Sequence, residues 1–192
     1  MSRSEGSEAS VNEAAERTDA VLAKLPEREW TTLAKIDPRY GVDHVLVGRG
    51  GVFVIASRKP PGAAARVRDG VLWVRQDADT RADRPGVAIN RQILDAARVL
   101  HREIRSRTAL GPPVWPVVVL WCEFPQHIAE SSQIAFVHGR DLLSWLTARP
   151  RRLDEAAHGE IVRALRASHS SGVGRRPRRP HVPHRGSGRH AA

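Results

Sequence analysis

Residues 41–58, Gly-Val-Asp-His-Val-Leu-Val-Gly-Arg-Gly-Gly-Val-Phe-Val-Ile-Ala-Ser-Arg, constrain this chain more than any other stretch. Two apolar runs rich in β-branched residues, Asp43–Val47 and Val52–Ala56, flank Gly48-Arg49-Gly50-Gly51. Such side chains favour extended backbone, and clustered glycines supply the conformations a tight turn needs. The segment reads as two short buried strands joined by a glycine turn. Asp43 heads the first strand, and Ala-Ser-Arg closes the second. The glycines do not form a phosphate loop, because the Gly-Lys-Ser/Thr ending is missing and the turn joins strand to strand.

Around this centre the chain alternates between helical and extended patterns. Residues 1–11 are rich in Ser and Glu and are expected to lack regular structure. From Asn12 to Leu25, apolar residues recur at helical spacing until Pro26. Residues 30–36 suit a strand, and Asp37 to Gly41 a turn. Ala65–Arg68 and Val71–Val74 flank Asp69-Gly70, a hairpin signal. Residues 76–86 read as a polar loop, and Val87–Ser106 as a long amphipathic helix ended by Gly111-Pro112-Pro113. Strands are expected at Val114–Cys122 and Gln133–Val137, and helices at Asp141–Thr147 and Leu153–Ala167. This order predicts an α/β (α+β) fold with a mixed central sheet flanked by helices.

The formal charge of +10 is concentrated at one end. Residues 172–192 hold six arginines and no acid, so the rest of the chain carries only +4. The expected organisation is a disordered segment at 1–11, a folded domain at 12–168 and a basic, disordered Arg/Pro/His tail at 169–192. Cys122 is the single cysteine, which excludes an internal disulfide and a thiolate metal centre. No apolar run is long enough to span a bilayer and no apolar leader is visible, so a soluble cytoplasmic protein without membrane association is expected. The five tryptophans (30, 73, 115, 121 and 145) lie on apolar elements and read as core. His127, His138, Cys122 and Glu123 have no metal-site spacing.

Several stations resemble, in order, the nuclease-related domain (NERD) family of the PD-(D/E)xK restriction-endonuclease-like superfamily. Glu16-Arg17-Thr18 is similar to the family's helical glutamate with its basic neighbour. Val42-Asp43-His44-Val45-Leu46-Val47-Gly48 resembles the metal-binding aspartate strand. Gly51-Val52-Phe53-Val54-Ile55 resembles the strand that leads into an acid-x-Lys motif. Gly70-Val71-Leu72-Trp73, Asn90-Arg91-Gln92, Pro116–Trp121 and Val137–Leu142 resemble the later stations, over roughly residues 12–147. The resemblance implies a restriction-endonuclease-like core. It makes Glu16, Asp43, Arg58 and Gln92 the candidate catalytic residues, with Asp43 and Glu16 as candidate Mg²⁺ ligands.

The motif is incomplete. Its acid position is Ala56 and its lysine position is Arg58. Magnesium-dependent phosphodiester hydrolysis needs hard oxygen ligands beside the scissile phosphate. Ala56 supplies none, and by strand alternation Ser57 points to the other face. Arg58 can clamp a phosphate but cannot act as a base at neutral pH. Lys59 is one residue late and faces away unless a bulge shifts the register.

These residues lean away from an enzyme and towards a degenerate nuclease site. Nucleic acid would be held by Arg58, Lys59 and the tail residues Arg175, Arg176, Arg178 and Arg179. An active Mg²⁺-dependent nuclease using Asp43 and Glu16 is the alternative, and a non-catalytic protein-interaction module the second alternative. No small-molecule cofactor is evident. His44 reads as packed or surface rather than liganding, and Asp43 also suits a plain turn cap.

Overall fold

The computed structural model describes residues 3–34, 42–60, 64–75 and 84–172. The turn expected at 37–41, most of the polar loop at 76–86 and nearly all of the basic tail lie outside the described residues.

The constraining segment forms β2 (His44–Gly48) and β3 (Gly51–Arg58), paired antiparallel, with β1 (Trp30–Ala34) antiparallel on the outer side of β2. The turn between β2 and β3 is clamped. Gly51 has φ +130°, and a Cβ at Gly48 would lie 2.1 Å from the Trp30 ring. The Gly50 carbonyl accepts the Trp115 indole N–H at 3.1 Å, and the Arg49 carbonyl accepts the Arg152 and Leu153 amides.

β7 (Val114–Leu120) lies parallel to β3, and β9 (Ala135–His138) parallel to β7. β8 (Ile128–Glu130), which is too short and too exposed to leave a sequence signal, closes the sheet antiparallel to β9. The six strands run in the order β1-β2-β3-β7-β9-β8. Parallel neighbours require a crossover connection. Between β3 and β7 it comprises a small sheet of β4 (Ala64–Arg68), β5 (Val71–Arg75) and β6 (Arg84–Pro85), then helix α2 (Val87–Thr108). Pro116 sits within β7 at the point before β9 begins to pair at Val117, where one flank of β7 is still open.

Helices cover both faces. α1 (Arg3–Leu22) and the short α3 (Leu142–Thr147) lie on one face, where Leu22, Leu46, Phe53, Ile55, Val117, Val119, Val137 and Trp145 form one core. α2 and α4 (Glu155–Gly172) lie on the other. There Val45, Val54, Ala56, Val118 and Phe136 pack with Ile93, Leu100, Ile104, Ile161 and Leu165. The mixed sheet flanked by helices is the expected architecture.

Element ends differ from expectation where local pattern is weak. α1 extends back to Arg3 instead of starting near Asn12, so residues 3–11, expected to lack regular structure, are helical. Once a helix has nucleated, adding residues at its end is cheap, and this stretch contains no proline to stop it. α4 starts at Glu155 and runs to Gly172, past the expected domain end at 168. β7 stops at Leu120, two residues early. Among the described residues no helix is long and apolar enough to cross a membrane.

Candidate functional site

In an open sheet with parallel strands, ligands bind beyond the carboxyl ends of those strands. Here the ends of β3, β7 and β9 are in register: Arg58 aligns with Leu120, and Leu120 with His138. Because β2 is antiparallel to β3, its head lies at the same edge. Asp43 enters there, its amide donating to the Ile55 carbonyl at 2.9 Å. One sheet edge therefore gathers Asp43, Arg58, Lys59, Trp121 and His138.

Alternation divides these residues between the two faces. Val52, Val54 and Ala56 face α2 and α4, whereas Phe53 and Ile55 face α1 and α3. Ala56 is 1% exposed and belongs to the apolar core. Ser57 points towards α1, its hydroxyl donating to Thr18 Oγ1 at 2.8 Å. The pairing from β2 to β7 is regular through Arg58, so no bulge brings Lys59 onto the Asp43 face.

Asp43 and Arg58 meet. The guanidinium lies 3.7 Å from Asp43 Oδ2, and each side chain is about 15% exposed. Asp43 Oδ2 also accepts the Ser57 amide, and Arg58 Nη1 donates to the Ser57 carbonyl at 2.7 Å. Burial draws the Arg58 pKa below its ordinary value, and the Asp43 charge opposes that shift. The group nonetheless stays cationic, since arginine does not deprotonate in proteins.

Lys59 turns to α1 and is held by Glu13, with Nζ 2.6 Å from Oε1 and 2.5 Å from Oε2. Glu13 also accepts from Arg17 at 2.7 Å. The Lys59 hydrogen bond, ahead of the Lys59 and Arg17 charges, holds the Glu13 carboxyl below its usual pKa even though partial burial raises it. Glu16, the expected helical acid, is exposed and makes no ion pair among the described residues. Gln92 is exposed on α2 and likewise has no hydrogen bond among them. Asp43 and Arg58 are thus brought together, Lys59 is paired with Glu13, and Glu16 and Gln92 stand apart. Arg175, Arg176, Arg178 and Arg179 lie outside the described residues.

Residues without a sequence signal extend this edge. Thr18 is buried, donates to the Ala14 carbonyl, and accepts the Trp121 indole N–H at 2.9 Å. The Arg17 guanidinium carbon lies 5.8 Å from the Trp121 ring centre. A Cβ at Gly139 would meet that ring at 2.4 Å, so glycine lets the indole lie against the backbone. Further along, His127 Nδ1 is 2.8 Å from Asp141 Oδ2, and the His127 and His138 rings are 5.4 Å apart. Burial chiefly lowers the His138 pKa, against the pull of Asp141. The i,i+4 spacing of Glu13 and Arg17 is a signal that could have marked a helical charge pair. The Thr18–Trp121 bond joins residues 103 positions apart and left no local trace.

His44 is buried beneath α1, with the Asp19 carboxylate 3.4 Å from its Nδ1 but outside hydrogen-bonding geometry. Trp73, Trp115 and Trp121 are partly exposed, so the expectation that all five tryptophans are core holds fully only for Trp30 and Trp145.

Cys122 is half-buried past the end of β7, and burial pushes its thiol up to about 11. The thiolate, not the thiol, is the nucleophile, so at pH 8 only about one molecule in a thousand carries it. Iodoacetamide is expected to label Cys122 in the folded protein at least ~100-fold more slowly than in the urea-unfolded chain, as followed by intact mass.

The mixed six-stranded sheet with flanking helices is an α+β architecture consistent with a nuclease-like fold. A family model for the nuclease-related domain matches residues 10–121, more than half of the sequence. The chain belongs to the nuclease-related domain family. The match runs from α1 through β7 and stops short of the 147 expected, leaving β8, β9, α3 and α4 outside it. No curated protein and no solved structure matches the chain.

Proposed function

We propose that this protein is a nuclease-related module that holds nucleic acid without hydrolysing it, a pseudo-nuclease acting in the cytoplasm. One observation carries this reading: the Arg58 guanidinium pairs with Asp43 at the place where an active site would keep its carboxylate for a metal. A hard divalent cation such as Mg²⁺ seeks several oxygen ligands. Around Asp43 the donor set does not fit it. Ala56 contributes no oxygen, Asp43 Oδ2 is engaged by Ser57 and Arg58, and Glu13 is engaged by Lys59 and Arg17. Among the described residues no group of three or more His, Cys, Asp or Glu is placed to hold a metal ion.

Cations at this edge suit phosphate contacts. Arg58 and Lys59 stand at the strand ends, each already paired with a carboxylate, and the tail arginines 175, 176, 178 and 179 add a sequence-independent attraction. Incubation of the protein with single- and double-stranded DNA and RNA, with Mg²⁺ or Mn²⁺, is expected to leave the substrates intact. Binding is expected to weaken steeply with salt and when residues 172–192 are removed. Cleavage that disappears in Asp43→Ala would establish the active-nuclease alternative. Undetectable or salt-independent binding would leave the protein-interaction module.

A further inference from the structure

We propose that the outer face of the β4–β5–β6 sheet is a docking surface for single-stranded nucleic acid. The proposal rests on the nucleic-acid-binding reading above and names the surface and the form of strand it takes. Alternation turns Ala65, Val67, Leu72 and Val74 inwards: Ala65 and Leu72 are fully buried, and Val67 and Val74 pack against the α2-side core. The opposite face then presents Arg66 across from Trp73, Arg68 across from Val71, and Ala64 across from Arg75, with Pro85 on the far side of Trp73. Side chains directly opposite on one face lie about 5 Å apart, so Arg66 and Trp73 are immediate neighbours.

Charge and chemistry on this face point to a polyanion with exposed rings. Arg66 and Arg68 are exposed and make no ion pair among the described residues. Arg75 adds a third cation. The hairpin's own carboxylate, Asp69, sits at the tip instead of on the strands. Trp73 is partly exposed and stacks on no other ring among the described residues. Arginines neutralise phosphates, and an indole offers a sequence-tolerant platform for a base.

The surface is tied to its surroundings by hydrogen bonds and adjoins the site. β4 follows a few residues after Lys59, and Ala64 bridges to Glu123 just beyond β7. The Gln126 side chain bonds both the Val67 amide and the Val67 carbonyl at 2.8 Å. Asn90 donates to the Gly70 carbonyl, and the Gly86 amide to that of Leu72. A strand leaving the Arg58 and Lys59 edge therefore meets a preformed platform, which lowers the cost of binding. Stacking singles out the unpaired strand, because in a duplex the base faces are already covered by their neighbours.

Fluorescence anisotropy of the full chain with labelled oligo-dT, oligo-U and a duplex, each of about 20 nucleotides, tests this. Arg66→Glu with Arg68→Glu is expected to weaken single-strand binding about tenfold or more and to flatten its salt dependence. Trp73→Ala is expected to weaken single-strand binding about tenfold with duplex affinity unchanged, and Trp73→Phe to restore it. The oligo-dT and oligo-U arms decide between DNA and RNA. Wild-type affinity in the charge-reversed variant overturns the surface while leaving the wider reading standing. Equal losses for duplex and single strand in Trp73→Ala overturn the strand preference. Absence of wild-type binding at low salt overturns both surface and reading. Thermal melting verifies folding, and if Trp73→Ala does not fold, the charge-reversed variant decides.

Discussion

Asp43→Ala is expected to lower folding stability by about 3 kcal/mol, and adding Arg58→Met is expected to recover all but about 1 kcal/mol of it. The first loss has two sources. Arg58, about 16% exposed, loses the carboxylate 3.7 Å away, and the Ser57 amide loses its acceptor. Leaving one member of a mostly buried ion pair without its partner is strongly unfavourable, whereas replacing both by apolar groups of similar volume is close to neutral. Urea denaturation of the two single variants and the double variant measures the coupling directly. An Asp43→Ala cost below about 0.5 kcal/mol would mean that the pair is not structural, and would return Asp43 to the role of a free metal ligand. The same variant thus separates the two readings of the site, because a dedicated catalytic carboxylate is dispensable for folding.

Phe53→Ala is expected to have the largest effect on stability, a loss of about 4 kcal/mol. Phe53 is fully buried on β3, beside Leu46 in the strand register. Its ring lies 5.8 Å from that of Trp30 and edge-on to that of Trp145 at 6.0 Å. Truncation removes the buried area and both ring contacts, and strands on either side prevent the sheet from collapsing into the space. Urea midpoints at constant m-value give the number, and a loss under about 2 kcal/mol would contradict this packing. Ile128→Ala provides the contrast: that side chain is 41% exposed, and a change within about 0.5 kcal/mol is expected.

These two residues show what was legible along the chain. Phe53 lies in a run of β-branched and aromatic residues, so a buried strand could be read from it without any partner. Through the family resemblance, Asp43 could be matched to the aspartate strand, and Ala56 and Arg58 read as an interrupted acid-x-Lys motif. α2 announced itself through Ile93, Leu100 and Ile104 at helical spacing. The elements that escaped were too short or too exposed to carry a period. β8 has three residues, and the amino-terminal turns of α1 contain a composition that suits disorder equally well. At the site, Glu13 and Glu16 are three residues apart on one helix. Only the packing of α1 against β3 decides that Glu13 takes Lys59.

The sequence by itself determined the pair of central strands, the glycine turn between them and the absence of an acid at position 56. Each is a property of neighbouring residues, set by backbone preference and by side-chain identity. Tertiary structure decided the rest. It laid Ala56 in the apolar core, faced Arg58 against Asp43, gave Lys59 to Glu13, and set the arginines of the hairpin around Trp73. Those outcomes depend on strand register and helix placement, and these follow from burying both faces of the sheet at once rather than from any local pattern.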